Sequence, residues 1–140
     1  MNPASILQPV AALAALTFVV LLMIPFKRFA AARQGRVTAR DFKYGESANV
    51  PGDVSIPNRN LMNLLEMPVL FYVACIVFYV TRTADAAALT LAWLYFALRL
   101  AHSAIHLGYN KVMHRLAAYA ASNVVLAFMW IRLFRALWAQ

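Results

Sequence analysis

The sequence predicts an all-α integral membrane protein that crosses the bilayer four times. Of its 140 residues, 64% are hydrophobic and 13% are charged, about half the charged share of a soluble domain. The apolar residues form four runs of roughly 20 residues, the length that a helix needs to cross a bilayer core. These runs fill most of the chain, so we predict a single membrane domain over residues 1–140.

Charge and cysteine content exclude other classes. A single cysteine cannot form an internal disulfide framework. The formal charge is +8, from 13 Lys and Arg against 5 Asp and Glu. The basic residues cluster beside the apolar runs, which is typical of the cationic loops of a membrane protein. We therefore expect a lipid bilayer as partner and no nucleic acid.

The first two predicted spans cover about residues 4–26 and 61–80. The first has no charged residue and no basic segment before it, so we interpret it as a retained span and not as a signal peptide. The second contains Glu66, followed closely by Pro68. Because proline has no N–H to donate to the carbonyl of Leu64, we expect this helix to bend here.

The third and fourth predicted spans cover about residues 86–107 and 116–137. The third contains Arg99, His102 and His106, and the fourth has Arg132 and Arg135 near its end. Arginines at a helix end reach the bilayer surface with their long side chains.

A long connection, residues 27–58, separates the first two spans and determines the predicted orientation. Loops one and three lie on the same side and contain most of the Lys and Arg, so the positive-inside rule makes that side cytoplasmic. In a bacterial inner membrane both termini would then be periplasmic. The first half of the long connection holds six basic residues: Lys27, Arg28, Arg33, Arg36, Arg40 and Lys43.

Polar side chains inside the spans mark a candidate site, because ionisable groups in a bilayer are costly. They form three stripes at helical spacing, one on each of the last three spans. All three stripes fall in the cytoplasmic half of the bilayer, which predicts a cationic pocket for an anionic ligand. The stripes are Arg59, Asn63 and Glu66; Arg99, His102 and His106; and Arg115, Tyr119 and Ser122 with Asn123 beside them.

Two simpler interpretations of these polar residues remain open. Glu66 lies about 10 Å deeper than Arg59, and Arg99 about 10 Å deeper than His106, at 1.5 Å per residue. Glu66 and Arg99 could therefore form a purely structural ion pair. Asn63 and Ser122 could be ordinary interhelical hydrogen-bonding groups. Two histidines are too few for a metal site, and Cys75 lies at another depth, so we expect no metal.

Two motifs resemble those of the MAPEG family, the membrane-associated proteins in eicosanoid and glutathione metabolism. The first is Arg59-x-x-x-Asn63-x-x-Glu66 followed by a proline, at the start of the second span. The second is Arg99-Leu-Ala-His102, then a glycine and Arg115-x-x-x-Tyr119. The span number and the long basic first loop are also similar to the family, so the resemblance covers essentially the whole chain.

The resemblance implies a left-handed four-helix bundle assembled as a homotrimer, with glutathione as co-substrate bound between subunits. Arg115 would then be the catalytic residue that stabilises the glutathione thiolate, since a nearby cation lowers the pKa of a thiol. A span-one arginine of the adjacent chain would contribute, with Arg33 as first choice and Arg28 as second. The other implied glutathione-binding residues are Arg59, Asn63, Glu66, His102, His106 and Tyr119.

Two functions follow from the resemblance. The first is a glutathione-dependent transferase or peroxidase that acts on hydrophobic small molecules dissolved in the bilayer. The second is a non-catalytic protein of the same scaffold that binds a lipid headgroup or another anionic metabolite. The second is favoured by four positions that differ from the pattern of glutathione-active members: Leu61, Met62, His106 and Leu116.

Overall fold

Five α-helices account for the four predicted spans in the computed structural model, which describes residues 2–139. Four helical segments are long and apolar enough to cross a membrane, which confirms the all-α, four-span prediction. Short 3₁₀ helices at Pro3–Leu7 and Ala39–Phe42 complete the described elements. The α-helices are α1 (Gln8–Arg33), α2 (Gly52–Leu65), α3 (Pro68–Val80), α4 (Ala86–Leu107) and α5 (Val112–Trp138).

Three helices extend beyond the bounds predicted from hydropathy. α1 continues past residue 26 to Arg33, α2 already begins at Gly52, and α5 begins at Val112. The predicted 27–58 loop is therefore only partly a loop. Hydropathy marks the stretch that lies in hydrocarbon, whereas a helix continues into the interface wherever its backbone bonds are kept. Arg33 in the last turn of α1 also interacts favourably with the negative end of the helix dipole.

The second span is broken into α2 and α3, as the position of Pro68 predicts. Glu66 leaves the helical conformation, with φ −87° and ψ −96°. Its N–H still donates to the carbonyl of Met62 at 3.1 Å, and α3 starts afresh at Pro68. A break in a span leaves backbone carbonyls without helical partners, and neighbouring helices must then supply donors.

The apolar core lies between the helices of all four spans. Phe71 of α3 stacks on Tyr95 of α4, with ring centroids 4.5 Å apart and planes at 17°. Ala74, Ala88 and Ala92 are fully buried, and such small residues let membrane helices approach closely. Large apolar side chains cover the outer faces of the helices, as expected for a surface in contact with lipid.

The connection between α1 and α2 is ordered by polar contacts. Arg28 pairs with Glu46 at 2.9 Å, and Arg36 donates to both carboxylate oxygens of Asp53 at 2.6 and 3.1 Å. Below these pairs, a small apolar cluster packs the connection against α1 and the start of α2. Its members are Ala31, Val37, Val50 and Val54, with Phe42 at its edge.

Asp41 fixes the middle of this connection. Its carboxylate accepts from the backbone N–H of Thr38 at 2.8 Å and from the hydroxyls of Thr38 and Ser47, each at 2.9 Å. These bonds, the Thr38 backbone N–H first, hold the pKa of the Asp41 carboxyl below its ordinary value. An ionised Asp41 therefore stabilises the fold of the connection.

Candidate functional site

A polar cavity lies at the end of the bundle that carries the long connection. Its volume is about 210 Å³. It brings together residues from all three predicted stripes: one from α2, one from α4 and two from α5. The rim residues Val112 and Leu116 are more than half exposed, so the cavity is open to the outer surface of the single chain. Its lining is Asn63, His102, Val112, Arg115, Leu116 and Tyr119.

Arg115 is held by the turn that precedes α5. Asn110 in this turn adopts a left-handed backbone, with φ +49°, which asparagine tolerates better than most residues. Its side-chain oxygen accepts from Nη1 of Arg115 at 2.7 Å. This bond uses one edge of the guanidinium, and the remaining N–H groups of Arg115 have no partner within residues 2–139. They are available to an anion in the cavity.

His102 is oriented by the backbone of the same arginine. Its Nδ1 lies 3.1 Å from the carbonyl oxygen of Arg115. A carbonyl only accepts, so we assign the proton to Nδ1. In the neutral ring Nε2 then carries a lone pair, and this buried atom has no partner among the described residues. His102 thus offers a proton acceptor beside a fixed cation.

Arg99 connects the cavity to the break in the second span. Its side chain is completely buried, and its Nη2 donates to the backbone carbonyl of Asn63. In an unbroken helix that carbonyl would accept from residue 67, so Arg99 replaces a helical partner at the break. Its guanidinium also lies over the ring of Tyr119, 5.5 Å from the centroid. One buried cation therefore contacts two residues of the lining.

Tyr119 packs between two side chains of α4. Besides the Arg99 contact, its ring centroid lies 5.7 Å from that of His102. The hydroxyl of Ser122 donates to the Tyr119 backbone carbonyl at 2.7 Å, so Ser122 is internal to α5 and takes no part in the lining.

A family model matches residues 6–135 of the 140-residue chain, and its description is the MAPEG family. This chain belongs to the MAPEG family. It is accordingly a membrane protein of that family, and the resemblance carried by its motifs is confirmed over nearly its whole length. No curated protein and no solved structure matches this MAPEG chain at a significant level.

In this MAPEG protein the three residues of the first motif, Arg59, Asn63 and Glu66, do not all line the cavity, although their spacing predicts that they share one helix face. Only Asn63 lines the cavity, and its Nδ2 donates to the Arg59 carbonyl at 2.9 Å. Arg59 and Glu66 are exposed on the single chain. The helix ends at Leu65, so the regular spacing that would have turned Glu66 inward is lost.

The Glu66–Arg99 ion pair, one of the two alternatives that the sequence left open, is absent from the single chain. Arg99 bonds to a backbone carbonyl instead. The backbone change at Glu66 explains the difference, because it directs that residue out of the bundle while exposing a carbonyl that a guanidinium can satisfy. Arg132, expected only to reach the surface, pairs with Asp85 at the start of α4.

The remaining predicted residues do not line the cavity. His106 is buried one turn beyond His102, with the rings edge-to-face and their centroids 5.7 Å apart. Arg33 ends α1 and is exposed, outside the ion pairs of the described chain. Arg28, the second choice from α1, is already bonded to Glu46.

Sequence reasoning missed two features of the site. Asn60 is completely buried, and its Oδ1 accepts from the hydroxyl of Ser103 at 3.3 Å, which connects α2 to α4 behind the cavity. Asn110 holds Arg115. A signal existed for Ser103, which follows His102 directly. Asn110 had none, since its role depends on a turn conformation that hydropathy does not reveal.

Proposed function

We propose that this protein is a membrane-embedded glutathione-dependent transferase or peroxidase that acts on hydrophobic electrophiles. The observation that carries the proposal is the pairing of Arg115 with His102 in one cavity, with the guanidinium only partly used by Asn110. An uncommitted cation beside a proton acceptor is what a thiol needs to ionise. Family membership supports glutathione as the source of that thiol.

In the proposed reaction, the thiol loses its proton to His102 Nε2 or to water, and Arg115 stabilises the sulfur anion. The thiolate then attacks the electrophile and forms a carbon–sulfur bond while the leaving group departs. With a hydroperoxide, the thiolate attacks the terminal oxygen, the O–O bond breaks, and the alcohol leaves with a proton while a glutathione sulfenic acid forms. The thiol of a second glutathione then attacks that sulfur, which forms the disulfide and releases water. The apolar rim of Val112 and Leu116 would contact the hydrophobic part of the electrophile.

The cavity is open in the single chain, and this supports the proposal of a homotrimer. A neighbouring subunit would close the open side and could bring Arg33 to the ligand. Arg33 suits this role better than Arg28, whose guanidinium is bonded to Glu46. Arg59, Glu66 and His106 would join the ligand only in the assembled form.

Glutathione binding to the purified protein tests the proposal. We expect glutathione to raise the unfolding temperature of the wild type, since a ligand at 100 times its Kd adds about 2.7 kcal/mol of stability. Arg115→Ala should lose this shift and the conjugation of chlorodinitrobenzene, whereas Arg135→Ala, an exposed arginine at the far end of α5, should keep both. The absence of any glutathione effect on the wild type would refute the proposal.

One set of observations favours the alternative, a non-catalytic MAPEG protein that binds another anionic metabolite or a lipid headgroup. Leu61 packs against the apolar core, Met62 is exposed, and Leu116 contributes only an apolar rim. None of the three presents a hydrogen-bond donor to the cavity. The alternative predicts that glutathione-dependent turnover stays at background while anionic compounds still stabilise the wild type but not Arg115→Ala.

A further inference from the structure

A second, larger groove shares no lining residue with the cavity. Its volume is about 420 Å³, and it runs between the last turns of α1 and the 3₁₀ helix at Ala39–Phe42. Its walls are almost entirely apolar, and Arg28 is the only charged residue among them. The apolar walls include Ile24, Pro25, Phe29, Val37 and Phe42.

The groove lies where α1 leaves the predicted hydrocarbon region. Phe26 and Phe29, on the last turns of the span, are 73% and 69% exposed. These exposed apolar rings offer a surface to acyl chains near the end of the predicted span. A groove that starts in the apolar part of α1 and ends in a basic connection therefore passes from acyl chains to lipid headgroups.

The charges around the groove are predominantly positive. Arg28 is bonded to Glu46 and stacked over Phe42, 4.3 Å from the ring centroid, so it forms part of the wall. Asp53 is paired with Arg36, whereas Asp41 is hydrogen-bonded to Thr38 and Ser47 and keeps one negative charge in the connection. Four exposed basic residues remain next to lining residues in the chain, and none forms an ion pair with a residue in 2–139: Lys27, Arg33, Arg40 and Lys43.

We propose that this groove binds an anionic phospholipid from the leaflet on the side of the long connection. One acyl chain lies against Phe29 and Phe42, and the phosphate pairs with the basic rim. Polybasic segments next to a span attract anionic headgroups, and the apolar groove adds a place for the chain that a surface charge alone lacks. This inference does not depend on glutathione binding at the cavity.

The test measures the phospholipid that stays with the full-length protein. The protein is reconstituted in equal amounts of phosphatidylcholine and phosphatidylglycerol, and native mass spectrometry counts each bound lipid. We expect selective retention of phosphatidylglycerol. Arg40→Gln with Lys43→Gln should lower the retention of phosphatidylglycerol about 25-fold, since each basic residue at an anionic surface contributes about fivefold. The matched control, Arg82→Gln with Arg135→Gln at the other end of the bundle, should retain phosphatidylglycerol as the wild type does.

A second pair of variants tests the groove itself. Ala32 lines the groove and Ala30 does not, although both are exposed on α1. Ala32→Leu should reduce phosphatidylglycerol retention and Ala30→Leu should leave it unchanged. Three results would each overturn the proposal. They are equal retention of both lipids, no effect of Ala32→Leu on retention, and retention of the soluble headgroup glycerophosphoglycerol equal to that of phosphatidylglycerol. Cross-linking that places a second copy of the chain in the groove would overturn it as well.

Discussion

Replacement of Arg99 tests the connection between the helix break and the cavity most directly. In Arg99→Leu the Asn63 carbonyl loses its donor, and a buried group left unsatisfied costs about 1–3 kcal/mol. The mutation also removes a buried charge whose Nε and Nη1 have no partner among the described residues, which offsets part of that cost. Interhelical hydrogen bonds in membranes average about 0.6 kcal/mol. We therefore expect global stability to change by no more than about 1–2 kcal/mol.

The local effect of this substitution should be larger than the global one. If 1–3 kcal/mol is lost at the break, amide exchange at residues 66–70 should accelerate by about 5- to 150-fold. Glutathione affinity should fall within the same range, because Asn63 and Tyr119 both contact Arg99. Arg99→Lys keeps one cationic donor and should fall between the wild type and the leucine variant.

Hydrogen exchange followed by mass spectrometry, with and without glutathione, measures both effects. The unliganded measurement is independent of the proposed function and still tests the role of Arg99 at the break. Unchanged exchange at residues 66–70 in Arg99→Leu would refute the reasoning. Uniform acceleration over all helices would refute it too, since it would indicate only general destabilisation.

Three further predictions concern the turn before α5, the cap of α4 and the ordered connection. Asn110→Gly keeps the left-handed turn but removes the acceptor for Arg115. Glutathione affinity, measured by calorimetry, should therefore fall about fivefold or more with little change in unfolding temperature. Unchanged affinity would contradict the positioning role of Asn110. Gly108→Ala should lower the unfolding temperature, because an added Cβ would lie 2.8 Å from the Ala104 carbonyl oxygen, at a cost of about 1–3 kcal/mol; Gly52→Ala, with open space around it, is the control and should not. The pKa of Asp41 is lower in the folded state than its ordinary value of 3.8. The ionised carboxylate therefore stabilises the connection above pH 3.8, and this stabilisation disappears as the pH falls through the folded-state pKa. Protection of the Thr38 amide from exchange should drop in acid, and Asp41→Asn should abolish this pH dependence.

Much of the fold could be predicted because a bilayer imposes a simple rule on sequence. About 20 apolar residues are needed for each span, and Pro68 must interrupt a helical hydrogen bond. Helix ends were less predictable. Hydropathy predicts only the part of a helix that lies in hydrocarbon. α1 continues beyond that part to Arg33, and α2 begins before it at Gly52.

The candidate site was predictable in its membership more than in its contacts. Asn63, His102, Arg115 and Tyr119 were found from helical spacing and depth, and they line one cavity. Glu66 was misplaced because spacing arguments assume a continuous helix, and the helix ends one residue before it. Asn60 and Asn110 were missed because each acts through a partner distant in space or through a turn.

The sequence by itself determined that this chain has four apolar helical segments suited to a membrane and which family it belongs to. Those properties depend on composition, run length and motif spacing, which are local along the chain. The tertiary structure alone decided that Arg99 bonds to the Asn63 carbonyl and not to Glu66, and that Asn110 holds Arg115. The reason is physical: a buried cation takes whichever acceptor the packing leaves free, and a helix break creates such an acceptor where no side chain indicates it.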